Sequence, residues 1–177
     1  SLTNNIFYRS MLAGNDAYNP EFESDDFLEE VVLTSSASSV TFSGLGAYSD
    51  YKHLQLRAIT KTSSGYNATV RVNGDTGSNY AAHQLSGNGS TVSSAAQAST
   101  DAPAIRTDPD NFRVSIIDIL DFGSTTKNTT IRDFSGVAST FSFIDLRSIL
   151  HINTSAVTSL SFAASFVAGS RFSLYGS

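Results

Sequence analysis

The chain has 177 residues, 40% hydrophobic but only 15% charged, and no cysteine. That length builds one domain with a substantial core, and the missing cysteines exclude a disulfide framework, a thiolate metal site and a thiol nucleophile. With a net charge of −5 and only 11 scattered Lys and Arg, phosphate-tracking nucleic-acid binding is set aside, and no apolar run approaches the ~20 residues of a membrane helix.

Residues 1–26 read as an N-terminal arm and residues 27–177 as the folded domain. Ser1-Leu2-Thr3-Asn4-Asn5-Ile6 lacks the basic region and apolar core of a signal peptide, so the chain reads as a cytoplasmic translation product. Pro20 and the acidic residues Glu21, Glu23, Asp25 and Asp26 separate the arm from the first strand of the domain. Its apolar residues Ile6, Phe7, Tyr8, Met11, Leu12, Tyr18 and Phe22 follow no period. One reading is a disordered leader, although such leaders are poor in aromatics because they have nothing to bury them against. The other is an arm that packs on a neighbouring subunit.

From Phe27 onward, short strands are predicted between turn clusters, the pattern of an all-β sandwich or barrel. They are Phe27–Thr34, Ser38–Ser43, Lys52–Lys61, Ala68–Val72 and a weaker Tyr80–Leu85. Gly87–Asp110, rich in Ser, Ala, Gly and Asp and holding Pro103 and Pro109, is predicted as a long loop. Strands resume at Phe112–Phe122, where Ile116-Ile117 suggests burial on both faces, then Lys127–Ser135, Thr140–Ile152, Ser159–Ala164 and Arg171–Tyr175. In the last of these, Phe172 and Leu174 share one face while Arg171, Ser173 and Tyr175 share the other. Val, Ile, Phe, Thr and Tyr dominate the runs, and branched or aromatic side chains suit a pleated, half-buried surface. A single sheet could not bury these apolar faces; two facing sheets can.

Asn73–Tyr80 reads first as a hairpin turn, because Asn-Gly and Asp-x-Gly favour tight, left-handed backbone. It also offers oxygen ligands from Asn73, Asp75 and Asn79 to a hard cation such as Ca²⁺, without the spacing of an EF-hand. Asp101, Asp108 and Asp110 could join such a site only if the fold gathered them. His53, His83 and His151 lack zinc spacing, no G-x-S-x-G elbow occurs, and Glu29-Glu30 point to opposite faces of a strand. Asp118, amid Ile116, Ile117 and Ile119, reads as a buried acid partnered by Arg113, Arg132 or Lys127. Tyr48, Tyr51, Tyr66 and Tyr80 read as exposed aromatics for a glycan-stacking platform, in a chain with no Trp.

Three segments together carry a resemblance. They are Tyr51-Lys52-His53-Leu54-Gln55-Leu56-Arg57, Val72-Asn73-Gly74-Asp75-Thr76-Gly77-Ser78-Asn79-Tyr80, and Arg171-Phe172-Ser173-Leu174-Tyr175-Gly176. With Met11-Leu12-Ala13-Gly14-Asn15 and Ile117-Asp118-Ile119-Leu120-Asp121, the chain resembles small β-sandwich structural proteins of tailed bacteriophages. The resemblance implies a jelly-roll sandwich, a homotrimer, and a non-enzymatic place on the virion surface, as head decoration or as tail fibre or adaptor. Its partners would be other virion proteins. The alternative it implies is a receptor-recognition module for host-surface carbohydrate. No cofactor is expected beyond the candidate Ca²⁺, and no nucleic-acid or membrane partner.

Overall fold

Alternation of branched and aromatic residues with polar ones runs through the domain, and the chain folds accordingly into strands. The computed structural model describes residues 25–137 and 143–177. They form β1 (Asp26–Val32), β2 (Ala37–Ser43), β3 (Leu54–Thr60), β4 (Asn67–Val72), β5 (Tyr80–Gly87) and β6 (Val92–Thr100). Then come β7 (Ala104–Arg106), β8 (Arg113–Ile119), β9 (Thr129–Gly136), β10 (Ile144–His151), β11 (Ser159–Phe166) and β12 (Arg171–Gly176). A single 3-10 turn, Leu45–Tyr48, is the one helical element among the described residues, and no helix there is long and apolar enough to cross a membrane.

The strands make two sheets, ordered β1-β12-β3-β8-β9-β10-β5-β6 and β2-β11-β4-β7, and the paired neighbours run antiparallel. The sheets face each other across one core. Leu54, Leu56, Ile117, Ile119, Ile131, Ile149, Phe172 and Leu174 come from the large sheet; Val40, Phe42, Val70, Val72, Leu160, Phe162 and Phe166 come from the small one. Phe172 joins them, stacking on Phe162 at 6.1 Å and meeting Phe166 edge-on at 5.2 Å between ring centroids. The closing strand β12 thus lies inside the large sheet, between β1 and β3, with its apolar face inward as its alternation predicts. The Ser177 backbone continues the pairing, its carbonyl accepting from the Lys52 and His53 amides.

Three expectations need correction. Gly87–Asp110 is not one long loop: it holds β6, the large sheet's edge, and β7, the small sheet's edge. Strand β6 (Val92–Thr100) is exposed on both faces through most of its length, so it carries no apolar alternation to reveal it. Strand β8 is buried on one face only, for Ile117 is buried while Ile116 is 40% exposed. Asp118 is half-buried rather than buried and accepts from Gln55 Nε2 at 2.9 Å; Arg113 is five residues away and so has the opposite parity and points inward. The arm residues Ile6, Phe7, Tyr8, Met11, Leu12, Tyr18 and Phe22 lie outside the described residues.

Candidate functional site

The Asn73–Tyr80 segment joins β4 to β5 at one end of the sandwich. Asn73 and Gly74 adopt left-handed backbone, with φ of 53° and 69°, as the Asn-Gly pair predicts. Asp75 accepts from the Gly77 amide at 2.8 Å, from Asn79 Nδ2 at 3.0 Å and from His151 Nε2 at 2.9 Å. These hydrogen bonds, the His151 one foremost, hold the carboxyl down at about 2. Asn73 instead ties the β4 end to the β10–β11 connection, its Oδ1 accepting from the Thr158 and Ser159 amides at 2.7 and 3.1 Å. Asn73 and Asp75 thus turn their oxygens to protein donors, and Asn79 presents its amide nitrogen to Asp75. The geometry is that of a pinned turn. Among the described residues no three His, Cys, Asp or Glu side chains gather as a metal group would need.

The four tyrosines do not share a surface. Tyr80 is fully buried, a correction to its reading as exposed. Its ring stacks on His151 at 4.8 Å, and its hydroxyl donates to the Asp75 carbonyl and accepts from the Val72 amide. Burial pushes its hydroxyl pKa up. Tyr48 and Tyr51 pack partly against the core in the β2–β3 connection, Tyr51 donating to Asp26 at 3.0 Å. Tyr66 lies in the β3–β4 connection, at the opposite end of the strands, beneath Arg106. His53, His83 and His151 are likewise apart: His151 is buried, His83 is exposed on β5, and His53 accepts from the Asp121 amide at 3.0 Å. Asp101 precedes β7, whereas Asp108 and Asp110 come after it. Asp108 caps its own turn by accepting from the Asp110 and Asn111 amides, both at 2.8 Å.

The unusual region lies at the other end of the large sheet, where its polarity inverts. Near His151 the inward residues of β8, β9 and β10 are Ile117, Ile119, Ile131 and Ile149, and Arg132 and Ser148 face outward. Toward Arg113 the same strands turn charges inward. Arg113, Asp133, Asp145 and Arg147 are all buried, and Ser86, Ser115 and Ser135 are buried beside them. Arg113 pairs with Asp145 and donates to Ser135 Oγ, while Ser86 donates to Asp145. Arg147 reaches the small sheet, donating to the Ala104 carbonyl at 2.8 Å, and lies 3.9 Å from Asp145. Burial pushes the Asp133 carboxyl up to about 6 and lowers both arginine pKa values.

The outward residues of this half are apolar on β8, β9 and β10, whereas β3 also turns Arg57 outward, opposite Ile116. In register, Ile59 on β3 meets Val114 on β8, and Ile116 meets Phe134 on β9. Phe134 meets Leu146 on β10, and Leu146 meets Leu85 on β5. One row away, Ile144 on β10 reaches Val92 on β6 across Gly87. The eight side chains form a band across six strands, with Phe134 56%, Ile144 59% and Val92 76% exposed. Sequence reasoning did not find this band or the charged cluster beneath it. The signal was present in the parity change between Ile116 and Ile117, and in the Asp145-Leu146-Arg147 alternation.

Compared with protein-family models, with curated proteins and with solved structures, the chain matches none.

Proposed function

We propose that this protein is a non-enzymatic assembly component, and that it belongs to the surface of a tailed-phage particle, as head decoration or as tail fibre or adaptor. The observation that carries the assembly reading is the exposed apolar band. Monomeric proteins rarely expose contiguous apolar patches beyond a few hundred Å², and this one crosses six hydrogen-bonded strands, a rigid platform. The phage assignment rests on the resemblance of the three segments. Strand order lends it support at the level of fold. The segments β1-β12-β3-β8 and β2-β11-β4-β7 match the order of an eight-stranded jelly roll, with β9-β10 and β5-β6 inserted as hairpins that widen one sheet. Jelly rolls recur in capsid and lectin domains, and that is an analogy of fold rather than of site.

In this reading the sandwich is a rigid block, and the segment before β1 and the band hold its neighbours. The test is cryo-electron microscopy and mass spectrometry of purified particles from a phage encoding the chain. Density for the sandwich on the capsid lattice or the tail is the expected result. Particles that lack the chain would overturn the virion reading.

A further inference from the structure

Resting on the assembly reading, we infer that the apolar band is the contact between two copies of this chain, packed sheet to sheet about a two-fold axis. Three features of the face point to a second copy.

The first is area. With about 180 Å² for an open residue of this size, the exposed fractions of the band amount to about 700 Å². Two bands in full contact would cover at most about 1,400 Å², which reaches the range of roughly 1,200–2,000 Å² of stable, specific interfaces.

The second is charge. Of the chain's three lysines, Lys52, Lys61 and Lys127, none lies on the band, and lysine is depleted where protein surfaces meet. Beside the band, Arg57 on β3 pairs with Asp25, and Asp118 on β8 and Arg132 on β9 stand opposite each other in register. An acid and a base side by side on one face complement themselves across a two-fold axis, so the same patch serves both partners. A partner of single charge would meet one of them badly.

The third is the inversion itself. The charges of Arg113, Asp133, Asp145 and Arg147 occupy the inner face, where apolar side chains would ordinarily pack, and the apolar side chains of the same strands stand outside. The outer face is therefore a second apolar layer that lacks a cover within the described residues. Sheets pack face to face with their apolar sides inward at about 10 Å, and a second copy supplies an equivalent layer.

The experiment is sedimentation equilibrium of the full chain from about 1 to 100 μM, with circular dichroism of each variant. The expected species has twice the 18.8 kDa chain mass. Phe134→Glu with Leu146→Glu should raise its dissociation constant at least 100-fold with the spectrum unchanged, since both side chains are already exposed. Asp118→Arg should weaken association about tenfold, and adding Arg132→Asp should restore it.

A monomer at 100 μM would overturn the inference, as would association that survives the double Glu variant, which would point to pairing at the β6 edge. A trimer would overturn the two-fold contact. Loss of association on Phe7→Ser with Leu12→Ser, in the full chain with the band intact, would assign the face to the arm. Failure here is distinct from failure of the virion reading, because a chain monomeric in solution can still be found in particles, and a dimer can be absent from them.

Discussion

Asp145→Asn tests the buried cluster most directly. The Asp145 carboxylate accepts from Arg113 and from Ser86, and faces Arg147 at 3.9 Å. Both arginine side chains are more than nine-tenths buried. Removing this one charge leaves two guanidiniums facing a single acid, Asp133. Removing one partner of a buried pair costs about 3–5 kcal/mol, because the remaining charge stays desolvated and unpaired. Against a total stability of about 5–15 kcal/mol for a domain, that is a large share. In urea, with a slope of about 2 kcal/mol per molar, the unfolding midpoint should fall by roughly 2 M. Arg113→Met combined with Asp145→Leu removes both charges and should recover most of the loss, since apolar replacements of a buried pair are often neutral or stabilising. A loss under about 1 kcal/mol for Asp145→Asn would refute the argument, because it would mean that water reaches these charges.

Other variants probe the remaining polar sites. Asp133, its carboxyl raised to about 6, binds more protons folded than unfolded between pH 4 and 6, so stability falls by roughly 2 kcal/mol as pH rises through that window. Asp133→Asn should lack this fall in urea titrations at pH 4.5 and 7.5; equal falls in both proteins would argue against it. Asp75, held at about 2, contributes stability that is present above pH 4 and lost as pH drops toward 2. Asp75→Asn should be less stable at pH 7 and flatter in acid, followed by fluorescence between pH 2 and 5. A Cβ on Gly176 would sit 2.6–2.9 Å from Tyr51 ring atoms. Gly176→Ala should therefore cost about 1–3 kcal/mol by overpacking, with a lower Tm, and Tyr51→Ala should relieve part of it.

The sequence shows the fold where alternation and burial agree. Strands β2, β3, β4 and β12 each place apolar residues at every second position, and those residues are the core. It hides β6, because Val-Ser-Ser-Ala-Ala-Gln-Ala-Ser-Thr is an edge strand held by backbone pairing to β5, with neither face covered. Tyr80 could not be placed because one turn residue sets which way the first side chain of β5 points. The Asn73–Tyr80 turn was legible through Asn73-Gly74. The His151 partner of Asp75 was not, since 76 residues separate the pair.

The outer band was hidden for a different reason. Alternation of period two says which residues share a face, but not which face is inward. Val114, Ile116, Phe134, Ile144 and Leu146 would be assigned inward by their hydrophobicity. They are displaced because Ile117, Ile119, Ile131 and Ile149, of opposite parity, already fill the core at the other end of the same strands. Once a strand commits its parity to one half of the core, the other half is fixed without choice. The chain then carries two costs together: buried polar atoms without partners among the described residues, such as Arg113 Nε and Asp133 Oδ1, and an exposed apolar layer. Either could be removed by exchanging polar for apolar residues along the strands. A sequence that breaks the inside-outside rule on both faces of one half-sheet has local rules in conflict with stability, and such conflicts concentrate where function needs them. The apolar layer outside is useful only when something covers it, which is why assembly is the role that this arrangement supports.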